Sequence, residues 1–529
     1  MSNNKTSLLL EMPSAFLALL IQHTASGPGG LASAAALSQT CTFLHSLSEG
    51  PAVTYSNIHV PGRILSPDET VWECFTKKSG RVAGLNLELC VETHNVDSPA
   101  HDEELGWENE PPENDELHQW TQPMQTLSGI PGVQLRVTWR GRSAHWDHLY
   151  ITRWLRQHGK TMNHLSVQVY ISEDSLKLRD FAEAAAMCRS IDLEILHGNG
   201  VTIDLAELAA LSGSLGRLLC ECDSEDGFGI VRGLSASSSL QQLQQLTSLC
   251  LVNNEDLSDE QPWVHLAKLT NLGELYIDAR ASGDPSPLSA LTRLSYLHLV
   301  SGNSIDSHAD PFSLSSLQPL STLQQLERLR LSPHACTATS LQGLAGLSKL
   351  KMLELASGAL RSLEGIGSGV DDLYIGGASD LVSLVGIECC SRMTSLSLSQ
   401  CGMSSLHPLA GLSSIKHLGL CCCITSLEDL SGMSVQFLTL RHCKSLTHLS
   451  RIEQLKALKR LTVSWCGVTS LQPLSHLGAG IESLHINGCR KVQEVVLELP
   501  HVQPSAHVWV LDCSVREVVL AGGEKRAVG

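Results

Sequence analysis

MTSLSLSQC (393–401), IKHLGLCCC (415–423), VQFLTLRHC (435–443), LKRLTVSWC (458–466) and IESLHINGC (481–489) are five versions of one phrase, L-x-x-L-x-L-x-x-C, in which Met, Ile or Val can stand for Leu. The same phrase, with other residues in its last slot, starts earlier at Leu246, Leu272, Leu294, Leu326, Leu350 and Val370. Eleven copies run from Leu246 to Cys489, at steps of 20 to 32 residues and most often 20 to 24. A period in this range specifies a solenoid, because no unit buries its apolar face alone and stacked units share one core. The L-x-L alternation is that of a strand, so each copy is expected to add one strand to a parallel sheet with its Leu side chains inward.

The composition agrees with stacked Leu positions: 43% of the 529 residues are hydrophobic and only 4% are aromatic. The net charge of −17 argues against a nucleic-acid partner, which needs a basic stripe. Residues 92–118 (ETHNVDSPAHDEELGWENEPPENDELH) hold ten acidic side chains and no Lys or Arg. With Pro111-Pro112 and no periodicity, this stretch reads as an exposed, disordered insertion, or as an acidic docking tail. No apolar run reaches the length of a membrane span, so no membrane partner is expected. Near the N-terminus Lys5 precedes LLL and AFLALLI in the manner of a signal peptide, but Glu11 and Pro13 interrupt the apolar region.

Among 18 cysteines, Cys401, Cys423, Cys443, Cys466 and Cys489 fall in the last slot of the phrase, and Cys513 continues the series. That slot faces inward at the strand end, where a small weak donor can satisfy carbonyls of the adjoining turn. The expectation is a ladder of free thiols in a reducing compartment, cytoplasmic or nuclear. Cys220-x-Cys222, Cys389-Cys390 and Cys421-Cys422-Cys423 lack the spaced pairs of a zinc site, so neither metal nor cofactor is expected.

Residues 10–47 form a separate block: Met12-Pro13, then Phe16, Leu17, Leu20 and Ile21 on one helical face, a Gly-Pro-Gly break, and AALSQTCTFLHSL with Phe43. This block resembles a degenerate F-box. The resemblance implies docking of Met12, Pro13, Phe16, Leu17, Leu20 and Phe43 on a Skp-type adaptor of a cullin ubiquitin ligase. A helical cap on the first repeat is the alternative.

WECFTKKSGRVAGLNLEL (72–89) aligns without gaps to TRWLRQHGKTMNHLSVQV (152–169), each a helix, a Gly-containing turn and an L-x-L-x-L strand. The wording Trp154-Leu155-x-x-His158-Gly159 resembles green-algal F-box and leucine-rich repeat proteins. LKLRDFAEAAAMC (176–188) and DLAELAALSGSL (204–215) read as convex helices. MSSLHPLAGLSS, ITSLEDLSGMS and VTSLQPLSHLG resemble the internalin-type leucine-rich repeat, whose convex side is a short turn. The expected fold is therefore an α/β leucine-rich repeat solenoid: a curved parallel β-sheet on the concave face, helices and then short turns on the convex face, and a small helical N-terminal block. The expected segments are a disordered 1–9, the block at 10–47, first repeat units at 52–91, the insertion at 92–118, the solenoid at 119–519 and a tail at 520–529.

No catalytic constellation is evident, and no enzyme is expected. Gly365–Gly369 (GIGSG) lacks a nucleotide-binding rhythm, His145-Trp146-Asp147-His148 lacks a zinc-protease frame, and Asp223–Gly227 (DSEDG) lacks the residues of a calcium loop. Binding residues can be proposed instead. The residues between inward Leu point outward, giving Tyr276 and Asp278, Tyr296 and His298, Arg328 and Arg330, Glu354, and Tyr374 as one patch. Phe437, Arg441, Arg460 and Trp465 form a second. Tyr, Trp and Arg dominate binding hot spots, so a protein ligand on the concave face is expected. The chain reads as an intracellular interaction protein. It is either the substrate-recognition subunit of a cullin-type ubiquitin ligase or a scaffold of a cytoskeletal or ciliary assembly without ligase coupling.

Overall fold

The protein is seen here as a computed structural model, which describes residues 58–61, 86–92, 134–140, parts of 152–171, then 178–197, 201–222, 229–232, 242–257, 262–279, 283–301 and 312–527. The block at 10–47 with its six adaptor residues, the acidic insertion after Glu92, His145–His148 and Asp223–Gly227 lie outside the described residues. The chain divides into two compact units, Met1–Ser248 and Leu249–Gly529.

In the first unit the strands are β1 (Ile58–Pro61), β2 (Asn86–Glu92), β3 (Gln134–Arg140), β4 (His164–Ile171), β5 (Ile191–His197), β6 (Thr202–Asp204), β7 (Leu215–Cys222) and β8 (Gly229–Arg232). β1 to β5 pair in parallel in chain order, β5 continues to β7, and β6 pairs with β8. The two halves of the internal duplication thus each end in a strand, β2 and β4. Helix α1 (Leu178–Ala185) buries Leu178, Phe181, Ala182 and Ala185, the spacing of one helical stripe. The second expected helix differs. Residues Leu205–Leu211 form a 3-10 helix, started by Asp204, whose carboxylate accepts from the Ala206 N–H at 2.8 Å. Only eight residues separate Asp204 from Gly213, too few for a long α-helix to outweigh its nucleation cost.

The second unit carries the periodic phrase. Its strands are β9 (Ser248–Leu257), β10 (Glu274–Ala279), β11 (Tyr296–Ser301), β12 (Arg328–Leu331), β13 (Met352–Ala356), β14 (Asp372–Gly376), β15 (Ser395–Cys401), β16 (His417–Cys422), β17 (Phe437–Arg441), β18 (Arg460–Ser464), β19 (Ser483–Asn487), β20 (Val496–Glu498) and β21 (His507–Leu511). β9 to β19 and then β21 pair side by side in chain order. The register joins like position to like, Leu275 to Leu297 to Leu329 to Leu353 and on to Leu484 and Val508. The inward Leu and Ile of these strands are almost fully buried. Each such side chain contributes about 1.5–3 kcal/mol of transfer free energy, so the repeat itself is the core. The fold is an α/β leucine-rich repeat solenoid.

The segments returning between strands are short. They carry 3-10 turns such as His407–Leu409, Glu428–Leu430, Ile452–Gln454 and Gln472–His476, each burying one Leu or Ile. Pro408 and Pro473 stand at the start of their turns, where a fixed φ fits and no N–H is needed. Gly365 of the GIGSG run is structural. It has φ +90°, and a Cβ there would come within 2.6 Å of the Gln342 backbone nitrogen in the preceding unit. Past β21, β22 (Glu517–Val519) pairs in parallel with β20 and antiparallel with β23 (Lys525–Ala527), so residues beyond 520 include a strand.

The thiol row requires one correction. Cys401, Cys443, Cys466 and Cys489 are buried and free, but the member contributed by β16 is Cys422, 5% exposed, while Cys423 is exposed. In the other four units the residue before the cysteine turns left-handed: Gln400 (φ 55°), His442 (53°), Trp465 (56°) and Gly488 (65°). That local kink takes up one residue. Unit β16 has no such kink, so its inward slot arrives one residue sooner, and Cys401 pairs with Cys422 across a register shift. Cys513 follows the left-handed Asp512 (φ 52°) and is half-buried at the end of the row.

Candidate functional site

The pleat and the register together convert outward residues into rows that cross the strands. One row reads Glu274, Tyr296, Arg328, Met352, Asp372, then Ser395, His417, Phe437, Arg460, Ser483 and His507. The next reads Tyr276, His298, Arg330, Glu354, Tyr374, Ser397, Gly419, Thr439, Thr462, His485 and Trp509. Asp278 and Arg441 belong to a third row.

The first predicted patch is one connected surface on β10 to β14. The Tyr276 ring meets the His298 ring edge-on with centroids 4.5 Å apart. The Tyr296 hydroxyl lies 3.4 Å from His298 Nδ1, and the Arg328 guanidinium sits 5.0 Å above the Tyr296 ring. Arg330 Nε is 2.7 Å from a Glu354 carboxylate oxygen. Tyr374 is exposed beside Glu354, its ring lying across Gly376, where a Cβ would come within 3.0 Å of it. Partial burial has electrostatic consequences. Burial first, and then the carboxylate of Asp278, push the Tyr276 phenol up to about 12. Burial and the neighbouring Arg330 guanidinium push the His298 imidazole down to about 4. The patch thus presents a neutral imidazole and a neutral phenol, with Arg328 as its outer cation.

The second predicted patch separates into two. On the sheet face, the His417 and Phe437 rings stack at 4.4 Å and 4°, and the Arg460 guanidinium covers Phe437 at 5.5 Å. Trp465 is not with them. Its left-handed φ places it on the rim formed by strand ends, where it stacks on His442 and is covered by the Arg490 guanidinium at 5.3 Å. Gly488 lies beneath its ring, and a Cβ at Gly488 would come 2.5 Å from Trp465 Cδ2. Arg441 is exposed on the third row.

A further set joins the predicted Arg460 to residues that the sequence did not single out. Arg460, Thr462, Glu482, Ser483, His485, His507 and Trp509 line a shallow recess of about 460 Å³ on the sheet face. Trp509 is 57% exposed, and its ring lies 6.4 Å from that of His485. The sequence signal for this strand was HVWVL followed by Asp512-Cys513. Val508 and Val510 fill the two Leu slots, and the cysteine follows as in the units before it.

The thiol row lies inside the solenoid. Cys443 Sγ lies 3.4 Å from the carbonyls of Leu420 and Arg441, and Cys466 Sγ lies 3.5 Å from Leu440 O and 3.4 Å from Ser464 O. Each thiol therefore donates to strand-end carbonyls of its own or a preceding unit. Burial pushes the Cys401 thiol up to about 11 and also raises Cys489. Among the described residues no group of three His, Cys, Asp or Glu side chains is placed to hold a metal ion, and no helix is long and apolar enough to cross a membrane.

No protein-family model and no curated protein matches the chain. Solved structures do show similarity. An internalin of Listeria monocytogenes is 17% identical, with 65% of this chain and 87% of that one covered and a TM-score of 0.42. A leucine-rich repeat protein of Leptospira interrogans is 18% identical over 74% and 93%, with a TM-score of 0.45. The functional domain of a second Listeria internalin, described as including a cysteine ladder, is 15% identical over 48% and 65%, with a TM-score of 0.32.

Proposed function

We propose that this chain is a protein-binding solenoid whose ligand lies on the outward, concave face of the second unit's sheet. The observation that supports this most is the surface made by Tyr276, Tyr296, His298 and Arg328 on three neighbouring strands. Aromatic rings and guanidinium groups held by their neighbours present large contact areas with little rotamer entropy left to lose. A rigid parallel sheet fixes their spacing, which suits recognition of an extended or folded protein surface.

The finer reading is that the chain recruits its ligand to a cullin-type ubiquitin ligase. Its support is the resemblance of residues 10–47 to an F-box, with Met12, Pro13, Phe16, Leu17, Leu20 and Phe43 as the adaptor contacts. The free thiol row supports a reducing compartment, cytoplasm or nucleus. Co-purification of the full chain with a Skp-type adaptor tests the coupling. Wild type should retain the adaptor, and a Pro13→Ala/Leu20→Asp variant should lose it. An adaptor that never co-purifies removes the ligase reading and leaves the binding face to be judged separately.

A further inference from the structure

The outward face does not carry its charge evenly. On β10 to β14 it holds Glu274, Asp278, Glu354 and Asp372 beside Arg328 and Arg330. From β15 to β21 the three outward rows contain no Asp or Glu, in a chain with 54 acidic residues and a net charge of −17. On those strands Arg441 and Arg460 are exposed. Neither has an ion pair with a described carboxylate, whereas Arg330 is tied to Glu354 at 2.7 Å. Lys416 and Lys459 stand one residue before β16 and β18. The single carboxylate on that border, Glu482, is held 3.1 Å from Lys459. Apolar contact area lies alongside: the stacked His417 and Phe437 rings, and Trp509 at the edge of the recess.

Two arginines without a carboxylate partner, on a strip whose one bordering carboxylate, Glu482, is tied to Lys459, make this face less negative than the rest of a strongly acidic protein. Such a strip accepts anions more readily than the rest of the surface. We propose that the β16–β21 face binds an extended acidic peptide, its carboxylates on Arg441 and Arg460 and an apolar side chain in the recess against Trp509. The proposal deepens the reading of the sheet face as a binding surface and rests on it. A peptide is favoured over nucleic acid because the strip offers few cations, and its aromatic contacts are spaced among Thr and Ser positions that suit a peptide backbone.

The test is fluorescence anisotropy on the full chain with three labelled probes: a short Glu/Asp peptide containing one Phe, the same peptide with Lys in place of the acids, and a single-stranded oligonucleotide. The acidic peptide should bind, and the other two should not. Arg441→Ala and Arg460→Ala should each weaken it about tenfold, with circular dichroism unchanged. Trp509→Ala should weaken the acidic peptide, and should leave a version of it with Ala in place of Phe unchanged. Tyr276→Ala should leave the acidic peptide untouched, which separates this strip from the β10–β14 patch. No binding of the acidic peptide, binding indifferent to both Arg substitutions, or tighter binding of the oligonucleotide would overturn the proposal. A natural ligand lost on Tyr276→Ala in the same protein would show that the general reading of the face survives.

Discussion

Arg330 and Glu354 are joined across adjacent strands, Nε to carboxylate oxygen at 2.7 Å, with each side chain a little over one third exposed. This pair shields the patch's inner cation and leaves Arg328, stacked over Tyr296, as its outer one. The two arginines, both outward positions of one phrase, therefore have different work to do.

For the pair itself, a double-mutant cycle of Arg330→Ala and Glu354→Ala should give a coupling of about 1 kcal/mol or less, diminished by salt, because half-exposed ion pairs are screened. In ligand binding, Tyr276→Ala should cost about 1–3 kcal/mol, since its ring is held by His298 and packed against the sheet. Urea denaturation of the four chains measures the coupling, and calorimetric titration with the bound partner measures the binding loss. Equal losses from Glu354→Ala and Tyr276→Ala would contradict the ranking.

His298 makes the patch pH-sensitive. Its imidazole is pushed from 6.5 down to about 4 in the folded chain, by burial and then by Arg330. Above pH 6.5 both states are neutral there and the group contributes nothing to the pH dependence. Between 6.5 and about 4 the unfolded chain takes up a proton that the folded chain refuses, so stability falls as pH falls through that window and levels off below it. His298→Gln should remove this component, read as a smaller difference in urea midpoint between pH 7 and pH 5. An unchanged difference would assign the component elsewhere.

Cys422 and Cys423 provide an internal control on the thiol row. Cys422→Leu inserts volume into a filled core and should destabilise by about 1–3 kcal/mol. Cys423→Leu, on the surface, should stay within about 0.5 kcal/mol. In native protein, iodoacetamide should label Cys389 and Cys423 and spare Cys401, Cys443 and Cys489. Rapid labelling of Cys443 would contradict the buried row.

Gly488 combines a left-handed φ of 65° with the Trp465 ring above it. Gly488→Ala should cost about 1–3 kcal/mol, part from the backbone and part from displacing the ring. In a Trp465→Ala background only the backbone part should remain, so the two substitutions should couple in denaturation experiments. Additive effects would mean that the ring yields freely.

The fold was legible because Leu275, Leu297, Leu329 and their successors recur at steps of 20 to 32 residues, and stacking leaves such a series no other way to bury them. The outward rows followed from alternation alone. What escaped was set by single-residue geometry. Counting along the phrase put Cys423 in the inward slot. Counting back five residues from Leu427, as Cys401 stands five before Leu406 and Cys466 five before Leu471, gives Cys422. Trp465 was grouped with Phe437 because a left-handed φ at a non-glycine residue is not written in the phrase. The recess at Trp509 was missed because Val508 and Val510 replace Leu in its strand. The Arg330–Glu354 pair needed the register between two units, which the 24-residue step from Leu326 to Leu350 contains only implicitly.

The most direct measurement is site-specific photo-crosslinking in cells of the protein's source. A photoreactive phenylalanine analogue would replace Tyr374, exposed on the outward face of β14, or Val385, exposed on the connection between β14 and β15. The account predicts that Tyr374 captures a discrete protein, that excess unlabelled wild-type chain competes it away while a Tyr276→Ala/Arg328→Ala chain does not, and that Val385 captures nothing comparable. The same adduct from Val385, or one from Tyr374 that the doubly substituted chain competes as well as wild type, would contradict it.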